Sequence, residues 1–557
     1  MKKSKLSLKV STSLVAAAIF AAGCGGNDET TGNNNEGNGN NDNNNNSNQE
    51  ASSDGDKILI YNNGEEPTSL DPPIGNDEYS YSILNNVMEG LTRLEQGEPV
   101  PEPAMAEDWE VSDDGLVYTF NLREDAYWSN GEPVTAEDFE FSFKRLADPE
   151  TASPAAHHSY WIAGAEAFNE GEGSEDDVMV EALDDKTLEV TLENPVDFFE
   201  SIVAMPQLFP VHKETVEEND DWANSPDTFV GNGPFVVSEW ENDEYLLVTK
   251  NEDYWDADTV NLDGIEYVMV EDSNTAYQLY QNDEVHITGI PSDMAGELID
   301  GPETAVYPRS GIEFQRFNVE EEPFQNTNIR KAFAKAINAQ EIVDYITQEN
   351  QPVMTGYVFD DFAHPAGGTY REEVGELHEF DPEEAQQLLE QGMEEEGYDE
   401  LPEVTFSYNT DDLHHTIAQA VQEMLQTNLE VDVTLENQEW AVFLDAQRDL
   451  ELQYSRSSFL GGYNDPMNYL DNFTTGNPMN RTGWSNEEYD QLVSDALAEP
   501  DPEQRFELMA EAERVFIEDA VIVPLYYYNS TFLEKPEVTD VVRHPVGFVE
   551  FKWADLQ

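Results

Sequence analysis

The side chains that do covalent chemistry are scarce or badly spaced in this chain. It holds one cysteine and nine histidines, with 118 acids against 26 lysines and arginines. There is no G-x-S-x-G elbow for an acyl nucleophile, no H-E-x-x-H zinc pair, no phosphate-cradling G-x-x-x-x-G-K and no C-x-x-C. His157-His158 and His414-His415 are adjacent pairs. Sequence neighbours point to different faces of a helix or strand, so neither pair makes a metal site alone. No EF-hand spacing occurs among the acids. Carboxylate pairs are everywhere, so a pair carries no information. The chemistry left is binding: a non-catalytic protein with no cofactor and no metal.

Cys24 has a different use. Lys2, Lys3, Lys5 and Lys9 precede an apolar run, Leu14 to Ala22, which Gly23 and Cys24 close. The run is too short for a permanent membrane span and reads as a secretion signal. Ala21-Ala22-Gly23-Cys24 resembles a bacterial lipoprotein box, whose cysteine is lipidated and becomes the mature N-terminus. Residues 25–56 are almost all Asn, Gly, Ser, Asp and Glu, a composition that cannot bury enough surface to fold. A disordered tether over 24–56, between a signal over 1–23 and a globular body, is the expectation. It places the protein outside the cytoplasmic membrane, anchored by lipid alone.

The formal net charge is −92, and loss of the four signal lysines takes it to −96. Such a surface excludes nucleic acid as a partner. Its self-repulsion is screened by salt, so it reads as adaptation to a saline or alkaline exterior.

The elements that must position a binding site alternate between strands and helices. Residues 116–122 and 187–192 read as strands, the second with clean alternation. Thr135 and Asp138 bracket a helix start, with Phe139 and Phe143 on one face. Ile329, Phe333 and Ile337 mark a second helix face, and Ile417, Val421 and Leu425 a third. About 500 residues follow the tether, too many for one core. The class is α/β, in two or more lobes.

A set of motifs runs through this body. It includes Ala106-Glu107-Asp108-Trp109, then Gly115 to Arg123, then Trp128-Ser129-Asn130-Gly131-Glu132-Pro133. Thr151-Ala152-Ser153-Pro154, Gly231-Asn232-Gly233-Pro234-Phe235, Asn251 to Trp255, Asn328 to Phe333 and Tyr408 to His414 follow. Asn437 to Trp440, Tyr463-Asn464-Asp465-Pro466, Gly483 to Asn486 and Val523 to Tyr528 complete it. Together they resemble the extracellular solute-binding proteins of the oligopeptide/dipeptide/nickel class, family 5, nearest the oligopeptide branch. The resemblance implies a two-lobed periplasmic-binding-protein fold. Lobe I would take residues 57–88, about 210–311 and about 524–557, an extra domain about 89–209, and lobe II about 312–523. Ligand would bind between closing lobes. The implied partners are the permease and ATPase subunits of an ABC importer, served by a monomer. Capture of another small polar solute, or reception of a peptide signal, are the alternatives; the missing nucleophile and metal motifs weigh against a secreted hydrolase.

Physical chemistry says how such a protein would hold a peptide. Backbone pairs with strand edges, side chains enter wet pockets, and charged ends need partners. Laid on the family pattern, Trp440 lines a side-chain pocket and Arg456 meets the peptide carboxylate. Ser458 and Leu460 offer backbone pairing, with Phe459 between them. Asn409 and His414 reach the far end of longer peptides, and Tyr463 opens the Tyr-Asn-Asp-Pro motif. The departures are informative. Gly462 stands where the family's aspartate meets the ligand ammonium. Gln447 replaces a second carboxylate-binding arginine, Ala155 a pocket tyrosine, and Arg316 a pocket acid. Asp465, Glu313 or another acid is expected to take over the ammonium, unless the ligand lacks a free one.

Overall fold

The computed structural model describes residues 57–557 apart from 95–99, 197, 220 and 548. Cys24, the signal and the tether lie outside the described residues.

The frame is one ten-stranded mixed sheet. Its strands in chain order are β1 (Ile58–Asn62), β2 (Phe235–Glu241), β3 (Tyr245–Lys250), β4 (Gly264–Val268) and β5 (Ile287–Gly289). Then come β6 (Thr304–Phe317), β7 (Val404–Asn409), β8 (Val433–Gln438), β9 (Tyr454–Leu460) and β10 (Ile522–Glu534). The spatial order is β8-β7-β9-β6-β10-β5-β1-β4-β3-β2. Strands β6 and β10, the two longest, run through both halves. They pair from Thr304↔Leu533 to Pro308↔Asn529 and again from Ile312↔Tyr527, with the register shifting between Pro308 and Ile312. That break makes residues 309–311 the natural bending point between the two halves.

Topology then dictates where a ligand belongs. In one half β1 is parallel to β4 and β5. In the other, β7 is parallel to β8 and β9. Because β5 is antiparallel to the last residues of β10, and β9 antiparallel to residues 311–317 of β6, the two parallel sets run toward each other. Their carboxyl ends, Asn62 and Gly289 on one side, Asn409 and Leu460 on the other, converge on the bending point. Crevices at the carboxyl ends of parallel strands are where open α/β sheets bind ligands. On the β1 side this convergence leaves a cavity of about 270 Å³, lined in part by Asn62, Thr288, Tyr307, Arg309 and Ser530.

The expected elements form. Val117–Leu122 and Thr187–Thr191 pair in a separate four-stranded antiparallel sheet with Ala106–Val111 and Val180–Asp184. Thr135 and Asp138 make a reciprocal capping box for helix Ala136–Ala147, and Phe139 and Phe143 are buried edge to face. Helix Thr327–Lys335 buries Ile329 and Phe333, while Ile337 lies beyond its end and is buried all the same. Ile417, Val421 and Leu425 are the buried stripe of helix Asp412–Leu429.

Candidate ligand-binding site

Strand β9 presents an open edge. Strand β7 pairs with it only through Tyr454 and Ser455. Beyond them the helix Trp440–Arg448, capped by the Glu439 carboxylate, lays Gln447 across the edge. The Gln447 amide donates to the Arg456 carbonyl and to Ser455 Oγ, both at 3.1 Å. On the other side of the strand, Gly461 N–H donates to Ser310 O at 2.6 Å. Backbone groups alternate sides along a strand. If Arg456 faces the open edge and Gly461 faces β6, then Ser458 and Leu460 turn their backbone groups to the open edge. Leu460 is 50 % exposed, and Trp440, at the start of the neighbouring helix, is 48 % exposed. Phe459 packs edge to face on Tyr469.

The side chains of β9 divide between two faces with different electrostatics. On one, Arg456 is clamped by Glu313. Its Nε and Nη2 donate to the two Glu313 carboxylate oxygens at 2.7 and 2.6 Å, and Tyr528 donates to Glu313 at 2.6 Å. Burial would weaken the Arg456 proton, but the Glu313 carboxylate overrides it and the guanidinium pKa rises. His414 stands near this pair. Burial and the Arg456 charge hold its imidazole below the ordinary value, and its Nδ1 has no hydrogen-bond partner. Asn409 ends β7 buried, with Oδ1 unpartnered. The structure therefore sets His414 near Arg456 and adds Glu313 as the resident counter-charge, whereas Asn409, two residues past the Ser407↔Ser455 pair, has the parity of Ser457 and turns its side chain to the opposite face.

The opposite face carries Arg316, Ser455, Ser457 and Phe459. Arg316 is 4 % exposed. It donates to Ser457 Oγ at 2.7 Å and to the Met479 carbonyl at 3.1 Å, and its Nε meets nothing. Burial pushes its pKa down to about 9, and Arg481 and Arg456 push the same way. Arg481 reaches the same place from the loop beyond Met479, with Nη1 3.2 Å from Gln447 Oε1 and a buried, unpartnered Nε. Burial, then Arg448, lowers its pKa. A guanidinium from another segment thus stands beside Gln447. The scarcity of basic residues, which singled out Arg456, could have singled out Arg481 as well.

Past Leu460 the chain turns through Gly461 and Gly462. A Cβ on Gly462 would have only His158 Cε1, at 3.8 Å, and Met205 Cε, at 3.9 Å, as close neighbours. No acid faces it at that distance. His158 is held neutral: burial, with a smaller push from His157, takes its pKa down to about 3. Ala155, three residues earlier, is fully buried, so an imidazole rather than a tyrosine ring borders this end. Tyr463 stacks on Phe198 at 4.9 Å and packs edge to face on Trp161. Asp465 is committed elsewhere. Both its oxygens accept from Arg505, at 2.7 and 2.8 Å, and it also accepts from Met467 N. It is spent on anchoring the turn, and Glu313 is spent on Arg456, so neither expected substitute for the missing acid is free.

Comparison with known proteins agrees with this architecture. The model of bacterial extracellular solute-binding proteins, family 5, matches residues 100–481. A dipeptide-binding protein, DppE of Bacillus subtilis, is 48 % identical over 501 residues, covering 90 % of this chain and 92 % of its own. The oligopeptide-binding protein OppA of the same organism is 38 % identical over 511 residues, covering 90 % and 93 %. Among solved structures, the unliganded open form of the murein tripeptide-binding protein MppA superposes with a TM-score of 0.79 at 28 % identity, covering 90 % of this chain and 97 % of its own. Listeria monocytogenes OppA bound to peptide gives 0.71 at 30 % identity, covering 90 % and 99 %.

Proposed function

This chain belongs to the bacterial extracellular solute-binding proteins of family 5, and we propose that it captures peptides between its two lobes and delivers them to the permease of an ABC importer. The observation that carries this reading is the open edge of β9 at the convergence of both parallel strand sets. Ser458 and Leu460 offer ladder positions there to an extended backbone, and an ladder of that kind gives affinity without reading side chains. The exposed Trp440 ring stands ready to cover a ligand side chain. The relatives named above bind dipeptides, oligopeptides and a murein tripeptide by their own descriptions, which supports a short peptide as the ligand class. Capture and release require no chemistry, in keeping with the missing catalytic motifs.

Lipid on Cys24 would hold the protein at the outer face of the cytoplasmic membrane. No helix among the described residues is long and apolar enough to cross a membrane. Cys24→Ala should release the protein into the medium; retention at the wild-type level in a membrane fraction would refute the anchor. The peptide reading is tested by native mass spectrometry of protein purified from its source, followed by calorimetry with a panel of di- to pentapeptides. A peptide-mass adduct and micromolar or tighter binding of panel members are expected. A non-peptide adduct with no peptide binding would overturn the reading.

A further inference from the structure

We propose that Arg316 and Arg481 form the specificity pocket of this site and select peptides carrying an acidic group beside the β9 edge. The inference rests on the peptide reading above and adds to it which peptides bind. Its basis is a contrast in how this acidic chain treats its buried arginines. Arg93 is paired with Glu89 and Glu550, Arg371 with Glu513, Arg505 with Asp465 and Arg456 with Glu313. Arg330 lacks a carboxylate but spends its donors on carbonyls and a hydroxyl. Arg316 is satisfied only in part, by the Ser457 hydroxyl and the Met479 carbonyl, and the half-buried Arg481 only by Gln447 Oε1 and Met479 Sδ. Among the described residues no carboxylate lies within ion-pair distance of either, and each leaves its Nε without a partner.

A buried guanidinium without a counter-charge is costly, and 118 acids are available to supply one. The half-buried Arg481 guanidinium nearby adds repulsion to that cost. The arrangement makes sense when the counter-charge arrives with the ligand. Position supports this. Ser457, which holds Arg316, and Gln447, which touches Arg481, both flank the open edge at Arg456 and Ser458. A ligand strand paired there would drop alternate side chains, or its terminus, toward the arginine face. A carboxylate would meet planar forks suited to two parallel hydrogen bonds. Arg456 cannot compete for it without displacing Glu313.

The test uses calorimetry of the full mature chain with four tripeptides: Ala-Ala-Ala, its C-terminal amide, Ala-Glu-Ala and its amide. Wild type should bind acid-bearing members more tightly than the neutral amide, by roughly ten- to a hundredfold. Comparing free acids with amides, and Glu with Ala, tells a terminal carboxylate from a side-chain one. Arg316→Met and Arg481→Gln should each erase the preference, bringing the acid-bearing members to the affinity of the Ala-Ala-Ala amide for the same variant. Unliganded Arg316→Met should melt no lower than wild type, which separates lost recognition from lost folding. An equal preference in wild type and both variants, or a drop in melting temperature without selective loss of acidic peptides, overturns the pocket while the peptide reading stands. If the neutral amide and all acid-bearing peptides fail to bind wild type, the peptide reading falls and the pocket with it.

Discussion

Two guanidinium groups on opposite faces of the β6–β9 ladder are treated in opposite ways. Arg456 has Glu313 as a fork-to-fork partner and Tyr528 to fix that partner. Arg316, one residue along from Arg456's cross-strand neighbour Gln315, has a hydroxyl, a carbonyl and an empty Nε. Both are buried, so exposure does not explain the difference. The lesson is that a satisfied charge is part of the scaffold, whereas an unsatisfied one is reserved for a partner that comes and goes.

The largest effect that would break this comparison is on stability. Glu313→Ala leaves Arg456 buried with no counter-charge and should cost about 3–5 kcal/mol in urea unfolding. Arg316→Met removes an uncompensated charge and should be neutral or stabilising by the same measurement. A mild Glu313→Ala beside a severe Arg316→Met would reverse the assignment of scaffold and site. A milder variant sharpens it: Glu313→Gln loosens Arg456, and binding of acidic peptides should then rise as a second cation becomes available.

How much of this was legible in the sequence follows from the same contrast. The α/β class, the capped helix at Thr135 and the stripes at Phe139 and Ile417 were readable because periodicity and capping are local. The edge residues Ser458 and Leu460 were readable through family resemblance, and the structure places them on the open edge by strand parity. The counter-charges were not readable. Glu313 meets Arg456 from 143 residues away, and Asp465 meets Arg505 from 40 away. In a chain with 118 acids no local signal tells which carboxylate is committed. Arg481 stands beside Gln447 from a loop 34 residues on, for which spacing gives no cue.

The Gly462 end of the site is a third case, in which charge is removed instead of paired or held open. His158 is kept neutral, its pKa pushed down to about 3 by burial and then by His157. An unfolded histidine titrates near 6.5, so on acidification the unfolded chain takes the proton first. The stabilisation is therefore whole above about pH 6.5 and is lost as pH falls from there toward 3. Protonation of the many surface acids relieves repulsion over the lower part of that range and acts in the opposite sense. The difference between wild type and His158→Gln isolates the histidine. Wild type should lose about 2–3 kcal/mol more than His158→Gln between pH 7 and pH 4 in urea titrations. Parallel curves would mean that His158 is free to take a proton in the folded protein, and the neutral end would then be no different from the charged ones.

Gly462→Asp probes that end directly and should have the smallest effect of the three. The backbone tolerates it, because a Cβ there meets His158 and Met205 only at ordinary contact distances, 3.8 and 3.9 Å. If a peptide's ammonium reaches this turn, it now lies beside a neutral imidazole with no acid at hand, and restoring the carboxylate should strengthen binding of free-amino peptides by about tenfold. N-acetylated peptides gain nothing from the acid and should bind Gly462→Asp as weakly as, or more weakly than, wild type. Calorimetry of both peptide forms against both proteins gives the answer as a ratio in which general damage cancels. A ratio unchanged by the substitution would show that the ammonium lies elsewhere or that the ligand has none. The site would then be defined by its arginines alone, an anion-selective end facing an end that is indifferent to charge.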